Sequence, residues 1–147
     1  MKRSSEVTQI SSSISEKKLN TILEEMILKV ENNLWISVED GFEDNSFWIS
    51  IPPEDDDDDE YWPSPGIIEL DVNGSVFTKI VSLAHEVGHY FLEKDQSLGQ
   101  GTHKMFEESV AWYLGHKYFE SNGFLIDAEE YKKEMNECLD EYIRSIK

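Results

Sequence analysis

Apolar residues recur along this chain at two periods, and the change from one to the other marks out its elements. Leu19, Ile22, Leu23, Met26, Ile27 and Val30 stand three and four apart, the spacing of one helix face. They predict a helix running to about Asn32, opened by a capping box of Ser13 and Glu16. Leu34–Val38 and Ser46–Ile51 are rich in β-branched and aromatic residues, with a turn-like Glu39–Asn45 between them. They should pair as a hairpin. Gly66–Val72 reads as a third strand. Helical spacing then returns in Val76, Phe77, Ile80, Val81, Ala84, Val87, Phe91 and Leu92, with Asn73 and Ser75 as N-caps. Another helix is expected over Lys104–Phe119, stopping near Asn122-Gly123. A last one runs from about Asp127, with Glu130 three residues on, to Ile146. Residues 1–12 read as a flexible tail. The whole is an α+β arrangement: an N-terminal helix, an approximately three-stranded antiparallel or mixed sheet, and three further helices.

Composition sets the outer bounds. The 147 residues amount to one domain's worth of chain, 1–147, with no internal repeat. At 39 % hydrophobic and 12 % aromatic the chain should fold. Its one cysteine, Cys138, permits no internal disulfide. The basic start Met1-Lys2-Arg3 has no apolar stretch behind it, and no run approaches the length of a membrane span. A soluble cytoplasmic protein is the simplest reading. The tryptophans Trp35, Trp48 and Trp112 are expected in the core, with Trp62 exposed.

Charge narrows the partners. Thirteen basic and 31 acidic side chains give a net charge of −18. Such a surface repels nucleic acid and attracts basic proteins. Residues 54–65 combine the acidic run Glu54–Glu60 with Pro63 and Pro65, which reads as an exposed, self-repelling loop. Five consecutive aspartates lack the alternation of a calcium-binding EF-hand loop.

The chemistry lies in the second periodic helix, where residues 85–89 read His-Glu-Val-Gly-His. Four residues make about one turn, so His85 and His89 share a face and can share a zinc ion. Glu86 starts about 100 degrees round the helix and can lean over the metal as general base. Shuffling this composition would produce the pattern on the order of one time in a hundred. Gly88 invites close approach by another backbone or by substrate.

A catalytic zinc needs a third protein ligand. Asp95, His103, Glu107 and Glu108 are the candidates. Glu108 is preferred, because Ala111 and Gly115 follow it at spacings of three and four and would let its helix approach the first closely. Glu107 is the alternative. An oxyanion donor is sought among His103, Tyr90, Tyr113, His116 and Tyr61.

His85-Glu86-Val87-Gly88-His89-Tyr90, followed by Glu108-Ser109-Val110-Ala111-Trp112, resembles the gluzincin-type zinc peptidases. It is most similar to the small ImmA/IrrE-type metallopeptidases of bacteria and phages, over about residues 66–120. Trp112 stands where that family often has Asn, and the spacer from His89 to Glu108 is short. The resemblance implies a zincin-like domain and a zinc-dependent endopeptidase acting on an intracellular protein such as a repressor or regulator. It implies His85, His89 and Glu108 as zinc ligands and Glu86 as base. Two alternatives stay open: a catalytically silent zincin-fold binder, and an acidic, DNA-mimic-like protein that binds a basic partner.

Overall fold

A computed structural model describes residues 7–41, 47–50, 66–71, 74–94 and 104–145. Helix α1, Glu16–Leu34, buries Leu19, Ile22, Leu23, Met26 and Val30, the stripe its spacing foretold. Its cap differs from the expected box. The Ser15 hydroxyl, not that of Ser13, accepts the Lys18 N–H at 3.2 Å, while Ser13 pairs with the Ser11 hydroxyl. The helix ends at Trp35, whose φ of 63° is left-handed and whose N–H reaches back to the Glu31 carbonyl. That turn carries Trp35 outward, 55 % exposed, and gives the buried position to Ile36. The expectation of a core tryptophan at 35 is therefore corrected.

The strands are β1 (Thr8–Ile10), β2 (Ser37–Asp40), β3 (Phe47–Ser50), β4 (Gly66–Leu70) and β5 (Phe124–Ile126). Mixed α+β architecture is present, but the expected antiparallel hairpin is not. Strand β4 lies between β2 and β3, parallel to β2 with Val38 opposite Ile68, and antiparallel to β3 with Trp48 opposite Ile68. The most apolar strand takes the central place, with Ile68 and Leu70 buried, while Glu39 and Asp40 keep β2 at an edge. The connection from residue 41 to 46 is longer than the tight loops that favour a hairpin.

The tail expectation fails at residues 8–10, which form a strand; residues 1–6 lie outside the described residues. β1 pairs in parallel with β5, with Ile10 opposite Ile126, and both side chains are about 1 % exposed. Gly123, at φ 93°, makes the reversal from the preceding helix into β5. Two of the three pairings among the described residues are thus parallel.

Three more helices follow the sequence reading closely: α2 (Val76–Lys94), α3 (Lys104–Ser121) and α4 (Ala128–Ser145). Ser75 caps α2 through the Thr78 N–H, and Asp127 caps α4 through the Glu130 N–H. The Glu130 carboxylate accepts the Ser12 N–H and hydroxyl, tying the turn after β1 to α4. α2 is the central element. Ile80, Leu83, Ala84 and Val87 are fully buried, with α3 packed along one side and α1, β3 and β4 against the rest. None of the helices among the described residues is long and apolar enough to cross a membrane. The acidic loop 54–65 and Trp62 lie outside the described residues.

Candidate metal centre

Two glycines bring α2 and α3 together. A Cβ on Gly88 would run into the Ala111 carbonyl, and one on Gly115 would run into the Ala84 carbonyl. Each helix thus contributes an Ala-x-x-x-Gly notch to the other's backbone, and no larger residue fits. Of the readings open for Gly88, close approach by another backbone is the one observed. The crossing sets Glu108, one turn before Trp112 on α3, opposite the two histidines of α2.

His85 Nε2 lies 2.9 Å from Glu108 Oε1 and 3.1 Å from His89 Nε2. His89 Nε2 lies 3.2 Å from Glu108 Oε2. Three donor atoms from two helices therefore meet at one point. His85, His89 and Glu108 form a group able to hold a metal ion. Glu107, the alternative third ligand, is not part of that group. Asp95 and His103 lie outside the described residues.

The donors fit a zinc-sized ion. A tetrahedral ion with ligands about 2.0–2.2 Å away spaces its donors roughly 3.3–3.6 Å apart. The separations here are a few tenths of an ångström shorter, so a small ion needs only a slight spreading of the triad. The chemistry agrees. Two imidazole nitrogens facing one another beside a carboxylate need a proton or a cation between their lone pairs. Two imidazoles and one carboxylate suit zinc better than calcium or magnesium.

The electrostatics favour the ligand form of His85 and of Glu108. Burial, reinforced by the charge of His89, lowers the pKa of His85 and leaves a neutral ring with a free lone pair, against the opposing pull of Glu108. Burial alone would raise Glu108. Hydrogen bonds from His85 and His89 outweigh it and hold that carboxyl well below the usual range. Glu86 behaves oppositely. Only 5 % exposed, it is pushed up to about 8 by burial, with His89 pulling it down and Glu108 adding to the rise. Its Oε2 stands 3.7 Å from His85 Nδ1. The two carboxyls on either side of the His85 ring thus shift in opposite directions, Glu108 toward staying ionised and Glu86 toward taking up a proton.

The proposed oxyanion donors are scattered. Tyr90 is buried among core residues with its ring edge-on to Phe91. Tyr113 is 60 % exposed and lies about 140 degrees round α3 from Glu108. His116 bonds the Ile126 carbonyl at 3.2 Å and packs on Tyr131. His103 and Tyr61 lie outside the described residues. One residue expected in the core also meets the site: Trp112 stacks on His85, with centroids 4.3 Å apart and planes 17° apart. Its position four residues after Glu108, on the same face, was the available signal.

Comparison of the chain with protein-family models, with curated proteins and with solved structures found no match. The functional reading therefore stands on the residues and their geometry.

Proposed function

We propose that this protein is a zinc-dependent endopeptidase. The supporting observation is the convergence of His85, His89 and Glu108 beside a buried Glu86 of raised proton affinity. Bound there, zinc supplies a Lewis acid that acidifies water and polarises a peptide carbonyl. The chain's own residues supply the rest. Glu86 removes a proton from the attacking water as its oxygen bonds to the carbonyl carbon. It then returns that proton to the leaving nitrogen as the C–N bond breaks. A carboxyl that titrates near neutrality suits both directions. His85 stays neutral and Glu108 anionic while Glu86 cycles.

The substrate class follows from resemblance and charge. The motif resembles that of peptidases acting on intracellular regulators, and the net charge of −18 favours a basic protein or peptide. A second reading, a non-catalytic binder of a basic partner, draws on that same charge.

Replacing Glu86 with Gln tests catalysis directly. The variant should retain zinc while its cleavage of a mixed peptide library, read by mass spectrometry, falls by about 10²–10⁴-fold. Cleavage at the wild-type rate would remove Glu86 from the mechanism. A zinc-loaded wild type that cleaves nothing would favour the binder.

A further inference from the structure

If His85 is a metal ligand, as proposed above, something must hold its ring in place. A metal-bound histidine ordinarily donates its second ring N–H to a carboxylate or carbonyl, which fixes the ring's rotation. His85 lacks this. Its Nδ1 lies 3.7 Å from Glu86 Oε2, too far for a hydrogen bond. Among the described residues, its polar contacts at hydrogen-bond distance are made through Nε2, to Glu108 and His89.

What fixes the ring instead is a flat surface. The Trp112 indole lies almost parallel to the imidazole, 4.3 Å away at 17°. Trp112 is 2 % exposed and is itself held in place by Tyr131. Its carbonyl accepts the Tyr131 hydroxyl at 2.6 Å, and the Tyr131 ring meets the indole edge-on at 5.1 Å. Tyr131 comes from α4 and is itself buried. A line of contacts thus runs from α4 through Trp112 to His85.

The indole also carries a cost that the stack itself does not require. Trp112 Nε1 is buried with no hydrogen-bond partner among the described residues. An unsatisfied buried donor is destabilising, and a phenylalanine would avoid it. We propose that Trp112 is a positioning residue whose indole plane sets the rotation of the His85 imidazole, so that Nε2 meets Glu108 and His89 at one point.

The test uses the full chain, with zinc as the probe. In the metal-free wild type, the carbon-bound ring protons of His85 should resonate upfield of a free imidazole's, because the indole shields them. Resonance at the free position would overturn the stack without any variant. Trp112→Leu removes the plane, and zinc affinity by chelator competition should weaken about 10–100-fold. Trp112→Phe keeps a plane and drops the orphan N–H, so its affinity should stay within about threefold of wild type. A merely structural tryptophan would not give that rescue together with the ring shift. If Trp112→Leu folds by circular dichroism and binds zinc as wild type does, the inference is overturned while the metal site stands. If Trp112→Leu does not fold, an affinity loss in Trp112→Phe of tenfold or more would overturn it. If the wild type binds no zinc, the metal reading falls and the inference falls with it.

Discussion

Glu86 has two requirements that conflict, and the conflict is measurable. It must be anionic to accept a proton, yet it sits where water is excluded. With no metal to help, its folded-state pKa of about 8 lies well above its ordinary value of 4.5. The folded chain then binds more protons than the unfolded chain between those values, so Glu86 subtracts stability as pH rises through that window. Glu86→Gln removes the penalty. In chelator, the variant should melt above wild type at pH 8, and the gap should close toward pH 4.5. A gap of equal size at both pH values, by scanning calorimetry, would contradict the burial of that carboxyl. The identities of His85, Glu86 and His89 were legible from sequence because their spacing matches one helical turn. Glu86's raised pKa was not, because it comes from residues brought over it by other elements.

Among the elements, the crossing of α2 and α3 carries the site. Gly115 lies seven residues beyond Glu108, two turns along the same face. Gly115→Ala would press a methyl into the Ala84 carbonyl and force the helices apart. We expect a stability loss of about 1–3 kcal/mol in denaturant unfolding, typical of overpacking, together with weaker zinc binding as Glu108 recedes. Full stability with unchanged affinity would show that the notch is not required. This crossing was partly legible, since Ala111 and Gly115 stand at seam spacing from Glu108. All four helices were legible: α1 and α2 because runs of 19 residues repeat their apolar period several times, α3 from its stop at Asn122-Gly123, and α4 from its cap at Asp127. The three strands β2, β3 and β4 were legible too, but β1, β5 and the order in which strands pair were not. Thr8–Ile10 and Phe124–Ile126 are three residues each, too short to display a period, and they meet across more than a hundred residues of chain. β4 enters between β2 and β3 for the same reason: strand pairing is decided by burial across the fold, and local sequence is silent on it. β1 is nevertheless structural. Ile10→Ala should cost about 2–5 kcal/mol, as for other fully buried aliphatic side chains. A loss near zero would return residues 8–10 to the status of a tail.

At the scale of the whole molecule, two properties must be reconciled: a half-buried group able to hold a metal ion and a net charge of −18. The charge belongs to encounter. It should draw basic peptides toward the protein, with the preference fading as salt screens it. Basic peptides should be cleaved faster than acidic ones at low ionic strength, and equal rates would detach the charge from substrate choice. The metal belongs to chemistry, and everything proposed for Glu86 and Trp112 depends on it. The most direct test is therefore metal content by elemental mass spectrometry, on wild type, His89→Ala and Glu108→Ala prepared in parallel. We expect about one zinc per wild-type chain and substoichiometric metal in both variants, as a site of three protein ligands requires. A wild type that holds no stoichiometric metal after zinc is added back would contradict the metal centre and leave an acidic binding protein.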